Sequence, residues 1–501
     1  MKAILFYILL FSSFNTIAQK RNDNWVFGDS AGINFSNPQN PVNFRSAVKS
    51  RGSSACISDT SGNLLFYYAY DPKGNLGISS FKNGNIYNRN NVIMVNGDSI
   101  VTGAWYLEGV IINNPSLTDK YYLFTIGVTG NFGLYYSTID MTQDSGRGAV
   151  ISKNVKLQAA KSTDCVTAIK HGNGRDWWVF YRRWDNANND FYTYLVSPAG
   201  ITLHAVQSVG TPSSNGFFTM TFSPDGTKLA VKTYTGLLEL FDFDRCSGII
   251  SNPVTLETET PSPFPGFWDC EFSPNGNLLY VVISEDTSYL LQYNLLATNP
   301  SQTRDTIYTI TYPTYSGGFL KLAPDNKIYW SCSWYDGFNW NFPYPDTTYN
   351  AYNSSLSVIN APDSLGAACN FTPYSFYLGG SRCYLGLPNN PDYDMPRLQG
   401  SPCDTVVWTS INEQLIIDNG QLFVSYVSDW QKLFVNAQNI KGKNCLLKVF
   451  DLNGRIVFSS ASKTQPPYFT QNVDVSTLSN GIYIVSLTTE KEVLNKKFIK
   501  N

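Results

Sequence analysis

The chain has 501 residues, and its 36 basic and 38 acidic side chains leave a formal net charge of −2. That balance offers no basic excess to neutralise phosphates, which excludes nucleic acid as a partner. Charged residues make up 15% of the chain, against ~25% in an ordinary domain, and aromatics also reach 15%, with 32 Tyr and 31 Phe, so strand formers dominate.

At the N-terminus Lys2 is followed by an unbroken apolar run from Ala3 to Phe11, and Thr16-Ile17-Ala18 places small residues before Gln19. This layout predicts a signal peptide over residues 1–18. The apolar run is too short for ~30 Å of hydrocarbon, which takes about 20 helical residues. No later segment has the length or apolarity of a transmembrane helix, so a protein exported through an oxidising compartment is expected.

The body, residues 19–391, exceeds the ~250–300 residues that one core normally serves. Its organisation is a repeat. Phe222-Ser223-Pro224-Asp225-Gly226-Thr227-Lys228-Leu229-Ala230-Val231 returns as Phe272-Ser273-Pro274-Asn275-Gly276-Asn277-Leu278-Leu279-Tyr280-Val281, and again from Leu322 to Trp330. Pro presets φ at the second turn position, Asp or Asn accepts the third, and Gly or Asn takes the left-handed conformation that feeds a return strand. Degenerate copies run from Ile57 to Tyr67, from Asn114 to Phe124 and from Lys170 to Phe180. A period of about 50 residues, with several short strands per unit and no long helical periodicity, predicts propeller blades of four antiparallel strands.

The turn motif resembles that of WD40-like and other bacterial β-propellers. The chain departs from true WD40 repeats, because Trp184-Asp185 and Trp268-Asp269 do not close a third strand and the Gly-His partner is missing. The resemblance therefore implies an architecture rather than that family's partners. Seven blades are expected, the last completed by Phe371 to Leu387 together with Asn24–Gly28 and Gly32–Phe35; six blades with an N-terminal extension is the alternative.

Candidate chemistry in the body is sparse. Gly28-Asp29-Ser30-Ala31-Gly32 matches the Gly-x-Ser-x-Gly elbow, but Ile33-Asn34-Phe35 continues as a strand, so a β-turn is expected. His171 and His204 are the only imidazoles, and His171 sits at a hairpin tip. Asp269, Glu271, Glu285 and Asp286 could supply a glycosidase carboxylate pair only if folding set them across a cleft. Trp334, Tyr335, Trp340 and Tyr344 belong to an aromatic loop, interleaved with Asn, Asp, Gly and Pro, that suits stacking on sugar rings. Packing between blades is the structural alternative for these rings. Of nine cysteines, Cys246 with Cys270 and Cys369 with Cys383 are candidate clasps, although spacing does not fix connectivity. No Cys-x-x-Cys occurs, and no metal or cofactor is expected.

From Asp392 to Asp404 the chain is polar and proline-punctuated, which reads as a linker over residues 392–411. Residues 412–501 then return to strands. Leu446 to Leu452 meets Asn453-Gly454, a strong hairpin signal, and comes back through Arg455-Ile456-Val457-Phe458. Asn480-Gly481 opens Ile482 to Leu487, and Lys496-Lys497-Phe498-Ile499-Lys500 closes the pattern of a small antiparallel sandwich. The order of Asp-x-x-Gly-Arg, Leu-x-x-Gly-Ile-Tyr and a basic-aromatic terminus resembles the C-terminal sorting domain of type IX secretion substrates in Bacteroidetes-type bacteria. That resemblance makes Gly454, Arg455, Gly481, Tyr483 and Lys497 the sorting signal and the secretion machinery a partner. It also implies proteolytic removal after the segment ending near Glu413, and attachment to surface lipopolysaccharide. The expectation is an all-β exported protein, secreted or on the outer cell surface, whose propeller is a scaffold for a glycan or protein ligand. A propeller-fold polysaccharide hydrolase or lyase is the alternative.

Overall fold

The computed structural model describes residues 20–70, 83–103, 106–128, 132–161, 164–184, 186–214, 217–260, 265–333, 349–404, 421–427, 431–438, 440–442, 444–463 and 468–500. The expected signal peptide, Asp185 and the loop containing Trp334, Tyr335, Trp340 and Tyr344 lie outside the described residues. The chain is all-β and divides into two compact units, Met1–Val406 and Val407–Asn501.

Among the described residues the first unit contains seven antiparallel sheets, each built from consecutive strands. Their first strands are Asn24–Phe27, Ser54–Ser58, Gly109–Asn113, Val166–Lys170, Phe218–Phe222, Phe267–Phe272 and Gly317–Leu322, and each lies beside the first strand of the next sheet. The first two sheets have three strands and the other five have four. A sheet this small cannot bury its own faces. Each therefore shares a core with both neighbours. The strand Trp177–Arg182 shows how: every side chain in it is buried, and because successive residues point to opposite faces, Trp177, Val179 and Tyr181 pack toward the third sheet while Trp178 and Phe180 pack toward the fifth.

The series closes on itself, which makes the arrangement propeller-like. Trp25, Phe27 and Ile33 of the first sheet share a core with Phe319, Tyr329 and Leu356 of the seventh. At the seam Arg382, fully buried, makes an ion pair to Asp29 at 2.8 Å. Sequence predicts that Phe371 to Leu387 supply inner strands to a blade shared with the N-terminus, and the structure corrects this. Phe371–Tyr377 is the outermost strand of the seventh sheet, and Asn24–Phe27 pairs with its own neighbour Asp29–Asn34. Gly28 explains the difference: it turns at φ +60°, and a Cβ there would lie 2.4 Å from the carbonyl oxygen of Arg382. The N-terminal strands thus form a local hairpin and leave room for the chain arriving from the seventh sheet.

All six copies of the repeated turn join the first and second strands of sheets two to seven. In the fifth sheet Ser223 Oγ donates to Asp225 Oδ1 at 2.6 Å and accepts the Lys228 amide at 2.9 Å, while Gly226 takes φ +71°. The sixth sheet repeats this with Ser273, Asn275 and Gly276.

In the second unit Gln421–Val427, Lys432–Gln438 and Tyr468–Asp474 form one sheet; Ile456–Lys463, Asn444–Asp451, Gly481–Thr489 and Val493–Lys500 form another. Leu433 and Val435 from the first meet Leu447, Val449, Val485 and Leu487 from the second in a single core.

Candidate functional site

The centre of the ring holds the chain's own downstream segment. After the seventh sheet, residues 381–404 run past the seam and along the first strands, in the same direction as those strands. Phe319 donates its amide to Leu385 O, Gly386 donates to Arg51 O and Asn389 to Ser54 O. The Asn389 side chain then donates to Leu107 O, Gly109 O and Val166 O at 3.3, 3.0 and 2.8 Å, tying the third and fourth sheets together. Asn390 accepts the Cys56 amide at 2.9 Å, and Lys321 Nζ donates to Asn390 O at 2.8 Å. One turn of chain further, the buried Tyr393 hydroxyl donates to Cys56 O and Ile111 O. The segment leaves by the repeated turns, where Arg245 donates to Pro396 O at 2.7 Å and Leu398 donates to Gly172 O at 2.7 Å.

Two sequence expectations are corrected here. The stretch from Asp392 to Cys403, read as linker from its polar composition, is a strap inside the first unit, because the Tyr393 hydroxyl, the Pro396 carbonyl and the Leu398 amide find partners on Cys56, Ile111, Arg245 and Gly172. Cys246 is bonded to Cys403 rather than to Cys270. Cys270, Cys369 and Cys383 remain buried thiols, and burial pushes the Cys383 thiol up to about 12.

Beside the strap lies a cavity of about 300 Å³ lined by Met220, Phe222, Glu271, Lys321, Asp394 and Met395, among others. Lys321, which lines it, is engaged by Asn390 O. The carboxylates that face it are under electrostatic stress. Poor hydration in the concave mouth, and then the neighbouring Asp392, raise Asp394 to about 7.

Asp269 and Glu271 alternate along the first strand of the sixth sheet and are spent on structure. Asp269 Oδ2 accepts the Leu320 amide at 2.9 Å, and Glu271 Oε2 accepts the Leu322 amide at 3.1 Å, so both stitch the sixth sheet to the seventh. Glu285 instead accepts the Tyr234 hydroxyl at 2.6 Å, and Asp286 is exposed. Asp269, Glu271 and Glu285 thus carry separate structural duties. The turn expected at Ser30 falls on Gly28 instead: Ser30 lies inside the strand Asp29–Asn34, at φ +62° where the pairing register shifts between Asp29 and Ala31, and its Oγ donates to Asp29. His171 keeps its turn role, its Nδ1 accepting the Asn173 amide at 3.0 Å. Among the described residues no group of three or more His, Cys, Asp or Glu side chains could hold a metal ion.

The upstream mouth of the ring carries an aromatic cluster that the sequence reading missed. Tyr106, Phe217 and Trp268 pack with centroids 5.0–5.7 Å apart, and Phe319 lies 5.4 Å from Tyr106. Beneath them Lys232 Nζ sits 3.8 Å from the Phe217 ring and donates to Phe267 O. Each ring comes from a different loop or strand start, so no local run of sequence announces the cluster.

In the second unit the residues marked by the tail motifs take distinct places. Gly454 turns at φ +77°, and Arg455 Nε pairs with Asp451 Oδ2 at 2.8 Å. Gly481 opens its strand, and Tyr483, buried, stacks on Phe498 at 5.3 Å and donates to Ser479 O at 2.7 Å. Lys497 is exposed, whereas Lys500, not singled out from sequence, is buried and donates to Val475 O and Leu478 O. Residues 430–501 match the family described as a secretion system C-terminal sorting domain.

The match indicates type IX sorting.

This sorting tail implies secretion, with export to the cell surface or the extracellular space. No helix among the described residues is long and apolar enough to cross a membrane. No curated protein matches the chain. Among solved structures the chain is similar to a functionally unknown protein from Desulfotomaculum acetoxidans DSM 771, at 12% identity and a TM-score of 0.38 over 73% of this chain and 98% of that one. It is also similar to the Cps50 (Swd1) β-propeller domain of Myceliophteria thermophila, at 8% identity and a TM-score of 0.33 over 62% and 94% of the two chains. Hsv2 of Kluyveromyces lactis aligns at 10% identity and a TM-score of 0.35 over 68% and 90%. Likeness this remote carries nothing about binding, and the fold stands on the sheet pairings themselves.

Proposed function

We propose that the protein is a binding scaffold of the cell surface or the secreted fraction: a signal peptide over residues 1–18, a seven-bladed propeller over 19–391, and a small C-terminal sandwich over 412–501 that delivers it by type IX secretion. The observation that carries this reading is the use of the ring's axis. The inner carboxylates Asp269 and Glu271 hold backbone amides and the strap occupies the channel, which leaves the rim loops as the surface for recognition. Rigid sheets presenting variable loops suit that task. The ligand is a glycan or a protein, met by the loop that carries Trp334, Tyr335, Trp340 and Tyr344. Gly454, Arg455, Gly481, Tyr483 and Lys497 form the sorting signal, and surface lipopolysaccharide receives the processed body.

Binding to a glycan array by the purified body tests the ligand class. Trp334→Ala with Trp340→Ala should lower the affinity at least tenfold; unchanged binding by the double variant would remove the loop from the proposal.

A further inference from the structure

Cys246 lies in the turn between the third and fourth strands of the fifth sheet, Leu238–Asp244 and Ile249–Glu257, and its partner Cys403 is 157 residues away. Nothing local brings these two sulfurs together. Cys403 reaches its position only through a segment held by the second sheet at Cys56, the third at Gly109 and Ile111, the fourth at Val166 and Gly172, and the seventh at Lys321. The seat is fitted to it. Gly172, whose φ is not in the left-handed range, would place a Cβ 2.5 Å from Cys403 Sγ and 3.0 Å from Cys246 Sγ, and a Cβ on Gly174 would lie 2.8 Å from the Arg397 Cβ. Ser401 Oγ lies within 3.4 Å of both sulfurs, and Asp404 holds Arg397 at 3.0 Å.

We propose that Cys246 and Cys403 form a redox latch that closes once the ring is complete and then keeps the strap seated in the channel. The two thiols give up two protons and two electrons to a disulfide-donating protein of the oxidising compartment. One new S–S bond forms between Cys246 and Cys403, and the donor's own disulfide is cleaved to two thiols. Competition from the other cysteines is weak. All seven are buried, where low polarity disfavours the attacking thiolate. The latch belongs to the first unit alone, and its test is separable from export and from ligand binding.

The test uses the full chain purified under oxidising conditions. Iodoacetamide labelling read by mass spectrometry should leave all nine cysteines unmodified. A phosphine reductant at neutral pH should then expose Cys246 and Cys403 only, with far-ultraviolet circular dichroism unchanged. Tryptic cleavage of the Arg397–Leu398 bond should accelerate at least tenfold on reduction. Cys246→Ser with Cys403→Ser should reproduce that acceleration without reductant, and Gly172→Ala should do so with both cysteines present, by blocking the seat. During refolding in a glutathione buffer, the Cys246–Cys403 bond should appear with or after the recovery of sheet signal. Cleavage after Arg397 that changes less than twofold on reduction would overturn the latch, as would formation of the same bond in urea before any sheet returns. Where a variant fails to fold, the reduction arm on the unmodified chain decides.

Discussion

Arg382 and Asp29 meet where the first and last sheets of the ring join. Both are buried, with Arg382 Nε and Nη2 both directed at Asp29 Oδ2 at 2.9 and 2.8 Å. Removing one partner of a buried pair leaves the other charge without compensation, at a cost of about 3–5 kcal/mol. Arg382→Ala should therefore lower the unfolding free energy by about 3 kcal/mol in urea titration, more than Arg455→Ala, whose exposed ion pair contributes little. Asp164 makes a second residue-scale prediction. Burial raises it to about 7 while its Oδ1 accepts the Tyr106 amide. A carboxyl with a folded pKa above its unfolded value binds more protons when folded, so stability falls as pH rises from about 4 through 7. Asp164→Asn keeps the acceptor and removes the titration. Its melting temperature should match the parent near pH 4 and exceed it at pH 8, the difference corresponding to at most about 4 kcal/mol.

The repeated turn was legible from sequence because its chemistry is local. Ser, Pro, Asp and Gly within five residues satisfy one another's backbone groups, and every copy falls between a first and a second strand. The strap was illegible for the opposite reason. Asp392 to Cys403 has the composition of a linker, and its partners, Cys56, Ile111, Gly172 and Arg245, are more than 140 residues away in sequence. The disulfide was missed on the same ground, since proximity along the chain favoured Cys270 while the fold selected Cys403. Asn389 is the element's anchor. Asn389→Ala would remove the side-chain donor to Gly109 O and Val166 O, while Leu107 O keeps the Val166 amide, at about 1–3 kcal/mol for unmet buried groups. The expected result is a cost near about 2 kcal/mol in chemical denaturation with the sheet content unchanged. The chain-entropy model assigns the 157-residue separation closed by Cys246 and Cys403 about 5 kcal/mol of destabilisation of the unfolded chain. Reduction should accordingly lower the denaturation midpoint more than the Asn389 substitution does.

For the molecule as a whole, the export reading predicts dependence on the tail. A chain ending at Val406 should accumulate inside the cell envelope instead of reaching the surface or medium, as fractionation and immunoblotting would reveal; equal export of the truncated chain would count against a sorting role for residues 430–501. The mature surface form should lack Gly481 and Tyr483 by intact-mass analysis. The strand periodicity made the sheets readable, and the tail motifs made the second unit readable. The seam was not, because closure depends on Gly28 and Arg382 approaching across the whole length of the body, a relation that no spacing encodes.

The threaded strap also bears on how the body can evolve. A wheel mounted on its own axle has little bore left to tune, so reshaping the middle for a new binding partner disturbs the seat that Asn389 and Tyr393 hold. Diversity is instead confined to the periphery, where loops can lengthen or exchange side chains while the hub stays unchanged.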